Sequence, residues 1–413
     1  MPRLLFLILL VWNSLVSASE FHIEDRDGNE ITVQSQPADG DLLVVWFVDH
    51  AEPREPFDKL LDQLARDGIE VWRIDLLAAY FLPRSSETVR TLPGDGVAAV
   101  ISAAHRLSDK RILLASYDRM PLPMLRGVRL WQQQAESSRL LGALLYYPNL
   151  FGPAPLAGQD PLVDPILQAT NIPLVIYQPE LGSQRWRLQQ VMRPLWQGGA
   201  PAYVYLVPGV RDWFFMGEGD HGPREKSATD AVPRQLRQFA RLLEDYPAPT
   251  EALPLPGSDL ARGEIRTLVA LSQPQPMSPF TLPTIEGRTY DSASLSGKVV
   301  LLNFWATWCP PCVEELPSLN RLQQRYSGSD LRVVSIDFRE TPEEMKAFLQ
   351  RTPVGFPVLM DQDGKVSLAW RVFSFPSSFI IDRTGHIHYS ANRAINWNSP
   401  EVWAALDPLL ETP

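Results

Sequence analysis

The chain has 413 residues, of which 45% are apolar and 21% charged, and its formal net charge is −10. That length allows two or three domains, and the balance is that of a globular protein, too polar for a membrane bundle. An acidic chain with no basic run also argues against a nucleic-acid partner.

The chain begins Met1-Pro2-Arg3, followed by an apolar run from Leu4 to Val11 and a small-residue site at Val16-Ser17-Ala18. These are the three parts of a secretory signal. The apolar core is shorter than the roughly 20 residues a membrane span needs. Residues 1–18 are therefore expected to be a signal peptide that directs the chain to a bacterial periplasm, with an uncleaved anchor as the alternative.

Short apolar runs then alternate with helical patterns. Ile31-Thr32-Val33, Leu42 to Val48, Val71 to Leu77, Arg111 to Ala115, Leu144 to Tyr147, Leu174 to Tyr177 and Tyr203 to Val207 predict strands. Phe57 to Arg66, Val97 to Leu107, Arg185 to Leu195 and Arg234 to Leu243 predict helices, the first with Leu60, Leu61 and Leu64 on one face. Such alternation predicts βαβ units and a mainly parallel sheet. Two leading strands before Leu42 to Val48, and a helix after each later strand, resemble the α/β-hydrolase order.

That resemblance implies a nucleophile elbow after Arg111 to Ala115, where such enzymes carry G-x-S-x-G. Here the stretch is Ala115-Ser116-Tyr117-Asp118-Arg119, and neither Ser116 nor Tyr117 fits the register. Glu180 is the nearest candidate acid. Asp212 stands where the base His should be, and His221 lies further on. A serine without a base is a weak nucleophile. Residues 19–246 are thus expected to form a non-catalytic α/β-hydrolase-like domain. Its tryptophans (Trp46, Trp72, Trp131, Trp186, Trp196 and Trp213) are expected in the core.

Prolines then crowd together from Pro247 to Pro279, interrupted by a helical pattern over Asp259 to Leu271. Residues 247–276 are expected to be an interdomain linker. From residue 277 the pattern is compact again. A turn at Glu286-Gly287-Arg288 separates two short strands, Val299 to Trp305 is a buried strand, and Val313 to Tyr326 a helix. Leu331 to Asp337 follows as a strand and Pro342 to Arg351 as a helix. Ser378 to Asp382 and His386 to Tyr389 read as a hairpin.

The two cysteines of the chain lie in Trp308-Cys309-Pro310-Pro311-Cys312, directly behind the buried strand. A lone C-x-x-C in that position reads as a redox pair. A zinc site would need four ligands, and only His386 and His388 are at hand. A peroxiredoxin pattern fails as well, because Thr307 is one residue too close to Cys309.

The run Phe304 to Cys312 resembles the thioredoxin superfamily, and most closely its TlpA/ResA-like branch. Ser296 to Asn303, Glu314-Glu315-Leu316-Pro317 and Phe375-Pro376-Ser377-Ser378-Phe379-Ile380-Ile381-Asp382 extend the resemblance over about the last 135 residues. It implies a thioredoxin-like domain over 277–413. Cys309, at a helix N-terminus that lowers its pKa, is then the exposed attacking thiolate, and Cys312 resolves the mixed disulfide. Trp308, Pro310, Pro311 and a cis Pro376 position the substrate. The two prolines withhold backbone donors, which leaves the Cys309 thiolate to lean on the Cys312 N–H and S–H. Asn303 replaces the family's buried Asp, and Glu315 is a candidate for proton transfer or else a solvated first-turn carboxylate.

The fold class expected is therefore α/β, a hydrolase-like domain followed by a thioredoxin-like one. The function expected is an exported thiol–disulfide oxidoreductase that reduces periplasmic client proteins. It needs no cofactor or metal beyond the Cys309–Cys312 pair and draws electrons from a membrane donor. The alternative is a hydrolase-like binding or adaptor protein in which the redox domain is regulatory.

Overall fold

A computed structural model describes residues 19–50, 54–135, 137–153, 155, 159–216, 222–246, 248–256 and 268–411. The expected signal peptide, His221 and most of the helical pattern expected at Asp259 to Leu271 lie outside these residues. The chain divides into two units, Met1–Leu150 with Asp164–Gly257, and Phe151–Val163 with Ser258–Pro413.

The first unit is built on eight strands: β1 (Ser19–Glu24), β2 (Glu30–Gln36), β3 (Leu42–Phe47), β4 (Ile69–Ile74), β5 (Arg111–Tyr117), β6 (Leu140–Tyr146), β7 (Leu174–Pro179) and β8 (Ala202–Val207). Their order across the sheet is β1-β2-β4-β3-β5-β6-β7-β8. β1 and β2 pair antiparallel, β2 meets β4 antiparallel, and the remaining pairs are parallel. All six residues of β3 (Leu-Leu-Val-Val-Trp-Phe) are buried. A parallel strand covered on both faces requires such an unbroken apolar run.

The helices of this unit are α1 (Glu55–Arg66), α2 (Leu76–Ala79), α3 (Ser86–Thr91), α4 (Asp95–Leu107), α5 (Pro121–Gln132), α6 (Leu188–Gln197) and α7 (Pro223–Glu244). α1 buries Phe57, Leu60, Leu61 and Leu64, and α7 buries Val232, Leu236, Ala240 and Leu243, in one cluster with Trp46, Tyr146 and Phe215. The strand expected through Leu77 stops at Ile74, because Asp75 accepts from the Ala78 N–H and starts α2 instead. Trp46, Trp72 and Trp131 are in the core, whereas Trp186, Trp196 and Trp213 are exposed.

The second unit holds β9 (Val269–Pro276), β10 (Thr281–Pro283), β11 (Thr289–Asp291), β12 (Val299–Trp305), β13 (Leu331–Phe338), β14 (Val358–Asp361), β15 (Ser377–Ile381) and β16 (His386–Ala391). β10 and β11 form a separate pair, and the other six make a sheet in the order β14-β13-β12-β15-β16-β9. β12, β13 and β14 are parallel, while β15, β16 and β9 run antiparallel to their neighbours. The helices are α8 (Pro310–Arg325), α9 (Pro342–Arg351), α10 (Lys365–Ala369) and α11 (Pro400–Glu411). β12 is central and wholly buried, and two apolar clusters cover the two faces of this sheet.

The linker expected over 247–276 thus ends in a strand: Val269–Pro276 is the edge of the six-stranded sheet, so the sheet begins before residue 277. Val269 to Leu271, expected to be helical, belong to it. An edge strand tolerates Pro274 and Pro276 because its outward N–H groups need no partner. The β15–β16 hairpin turns at Gly385, whose φ of 82° favours glycine.

Candidate active site

β12 runs into the loop Ala306-Thr307-Trp308, which delivers Cys309 as the N-cap of α8. Glu340, in the turn after β13, accepts from Thr307 N at 2.6 Å and from Thr307 Oγ1 at 2.5 Å, and so pins the loop. Pro310 and Pro311 occupy the first helical turn, where a missing N–H is tolerated, and both are exposed. Cys309 and Cys312 are joined by a disulfide with their Cα atoms 5.3 Å apart.

Two expectations for the pair need correction. Cys309 is only 6% exposed and Cys312 is fully buried, so the cysteine expected to be exposed is largely covered. The Cys312 N–H donates to the Cys309 carbonyl at 3.0 Å, as the first turn of α8 demands, and is not free for the sulfur.

The segment expected to position the substrate leads into β15. Phe304 pairs with Ser377, which places the Phe375–Pro376 peptide at the end of β12 where the cysteine loop begins. That peptide is cis. The Phe375 ring packs against Trp308 at 5.9 Å and Phe338 at 4.8 Å. Ser377 Oγ lies 2.6 Å from the Ser374 carbonyl and 3.0 Å from Asn392 Oδ1, which holds the loop from the other side.

Glu315 is not a solvated first-turn carboxylate. It is 3% exposed and accepts from Asn303 Nδ2 at 2.8 Å, Trp397 Nε1 at 3.0 Å and Ile395 N at 3.4 Å. Burial raises its pKa to about 7 against the pull of these donors. Asn303, fully buried in β12, also donates to Ser378 Oγ at 2.9 Å. Glu315 lies three positions after Cys312, on the same face of α8.

Glu340, Trp397 and Ser378 were not legible as site residues. They belong to other strands and loops, and no spacing ties them to the cysteines. His386 and His388 face Thr384 and Asp382, and no metal-holding group of three is found among the described residues.

In the first unit, the residues expected near a nucleophile elbow are spent on structure. Ser116 Oγ is fully buried and contacts Met124 Sδ at 3.3 Å, and Tyr117 is equally buried. The residue at the apex of the turn between β5 and α5 is Asp118, with φ 48°. Asp212 accepts from Ser183 N and Oγ, with burial pushing its pKa to about 6. Glu180 accepts from Gly209 N.

Residues 274–390 match the AhpC/TSA family. Thiol-disulfide oxidoreductase ResA of Bacillus thuringiensis subsp. konkukian is 34% identical over 108 residues, 26% of this chain and 62% of the relative. Thioredoxin-like protein YneN of Bacillus subtilis is 35% identical over 122 residues, 29% of this chain and 71% of the relative. A thiol:disulfide interchange protein of the thioredoxin family from Chlorobium tepidum has 28% identity and a TM-score of 0.29, over 33% of this chain and 99% of that one. The chain thus spans 62% of the ResA relative's length.

Proposed function

We propose, on the premise that this chain belongs through its C-terminal domain to the thioredoxin-like thiol–disulfide oxidoreductases, that it reduces disulfides of client proteins through Cys309 and Cys312. The single observation that carries this is the Cys309–Cys312 disulfide at the N-terminus of α8, formed by the only two cysteines of the chain. In the reduced form, the Cys309 thiolate attacks a client sulfur. A mixed disulfide forms and one client thiolate leaves. Cys312 then attacks the Cys309 sulfur, releases the second client thiolate and restores the pair as disulfide. Two electrons pass to the client, and a donor must return them before the next turn.

Glu315 takes the proton from Cys312 as that thiol becomes the nucleophile. Its pKa of about 7 supports this role, since a base poised near the working pH transfers protons best. Trp308, Pro310 and Pro311 form the surface a client meets, and the buried cis Pro376 positions the Phe375 backbone beside it. The signal-like sequence at residues 1–18 supports export to the periplasm, where a reductase needs a membrane electron donor because the surroundings are oxidising. No helix among the described residues is long and apolar enough to cross a membrane.

The first unit is read as an α/β-hydrolase-like scaffold without a working triad. Its strand order and its sealed Ser116 support that reading. The redox function is tested by insulin reduction. Cys309→Ser is expected to abolish it and Cys312→Ser to accumulate mixed disulfides with clients. Full activity in the Cys309→Ser variant would contradict the proposal.

A further inference from the structure

The first unit carries a cavity that the redox chemistry does not use. The sheet order sets β3 between β4 and β5, so the chain leaves β3 on one side and β5 adds on the other. Open α/β sheets leave a crevice for ligands at the carboxyl ends of such a pair. A cavity of about 470 Å³ opens there, within the usual range for small-molecule sites. Its walls include Asp49 and His50 after β3, Asp118 and Arg119 after β5, Arg84 before α3, and Trp213.

Two of the three arginines facing it are held by carboxylates. Arg119 Nη1 binds Asp118 Oδ2 at 2.7 Å. Arg84 binds the Asp75 carboxylate at 2.5 Å and donates to the Asp49 carbonyl at 2.6 Å. Arg73 Nη2 donates to His50 Nε2 at 3.1 Å, which leaves His50 Nδ1–H to donate to Tyr117 Oη at 2.5 Å. Burial and the neighbouring Arg73, Arg54 and Arg84 lower the His50 pKa to about 3 and keep it neutral.

With Asp49 and Asp118 set among Arg54, Arg84 and Arg119, the walls mix both signs of charge and offer little to a simple ion. What it offers is a fixed array of donors and acceptors beside the indole ring of Trp213, a residue 38% exposed. The Tyr147 side chain packs against that ring at 5.4 Å, and its hydroxyl, buried next to Asp118, has no hydrogen-bond partner. Asp118, Tyr147 and Trp213 all hold positive φ, at 48°, 37° and 67°. Backbone strain of this kind collects at ligand sites.

A ligand that suits these walls has hydroxyls that donate and accept at once and a C–H face that covers an aromatic ring. We propose that this cavity binds a small uncharged saccharide, with a ring face on Trp213 and hydroxyls held by Asp118, Arg119 and Arg84. The site is independent of the cysteine pair and stands or falls apart from the reductase function.

Calorimetry on the whole chain tests it, with glucose, galactose, N-acetylglucosamine and maltose as probes and acetate and inorganic phosphate beside them. At least one saccharide is expected to bind saturably, with affinity about tenfold weaker in Trp213→Ala and in Asp118→Asn. Asparagine tolerates positive φ, so Asp118→Asn keeps the turn, and an unchanged thermal unfolding curve verifies the fold of each variant. Absence of saturable binding by all four sugars, binding by the anions alone, or sugar binding undiminished in both folded variants would overturn the proposal.

Discussion

Glu315 meets three hydrogen-bond donors and no acceptor, an arrangement that favours its anion, while burial favours the neutral acid. Burial prevails, and the pKa rises from 4.5 to about 7. The consequence for stability has a definite sign. The favourable contribution is complete below pH 4.5, where folded and unfolded chains both hold the proton. It is lost as pH rises through 7, by about 3 kcal/mol in all. Glu315→Gln cannot ionise and escapes that loss. Asn303 Oδ1 has no partner, so a flip of the Asn303 amide would present that oxygen to the NH2 group the substitution introduces. Urea unfolding at pH 4.5 and pH 8 is expected to show wild type losing ground to Glu315→Gln as pH rises; parallel profiles would refute the assignment. The rate of client reduction should likewise lose its dependence on a group titrating near pH 7. The cysteine pair was legible because no other thiol competes with it. The state of Glu315 was not, because Trp397 and Asn303 reach it from 82 and 12 residues away.

At the scale of elements, the buried strands announced themselves and the exposed one did not. β12 reads as a strand because six of its seven residues are apolar, and the exception, Asn303, is the polar member of the site. β9 reads as linker because it is rich in Pro and Gln and mostly exposed, and it is held through backbone pairing with β16. Strand identity of that kind depends on a partner far along the chain, not on local composition. A fragment beginning at residue 277 lacks β9 and leaves β16 as a bare edge. It is expected to melt about 5 °C or more below one beginning at residue 258; equal melting temperatures would remove β9 from the domain. The Glu340 turn is the second element to test. Glu340→Ala strands the Thr307 N–H, a loss of about 1–3 kcal/mol, and loosens the loop that presents Cys309. Client reduction should fall several-fold, with partial recovery in Glu340→Gln; an unchanged rate in Glu340→Ala would deny the loop its role.

Taken as a whole, the chain joins two sheets with different chemistry. The alternation of strands and helices in the first unit was legible because most of its parallel strands, such as β3 and β6, are apolar runs. The residue at the apex after β5 was not, since the strand continues to Tyr117 and the turn falls at Asp118, beyond both expected registers. Ester turnover is therefore expected to be unaffected by Ser116→Ala, whose hydroxyl is sealed against Met124; loss of an esterase activity in that variant would reopen the hydrolase reading. The central claim concerns the other unit and the direction in which its electrons move. Prolines at both positions between the cysteines, a Cys312 N–H spent on the Cys309 carbonyl and the burial of Cys309, a residue only 6% exposed, leave the Cys309 thiolate with little stabilisation. A strong oxidant requires the opposite, a reduced form held firmly. The most direct test is the reduction potential of the Cys309–Cys312 pair, measured by equilibration with a thiol–disulfide buffer. A value near that of thioredoxin, about −270 mV, is predicted, and one near about −120 mV, where DsbA lies, would contradict the account.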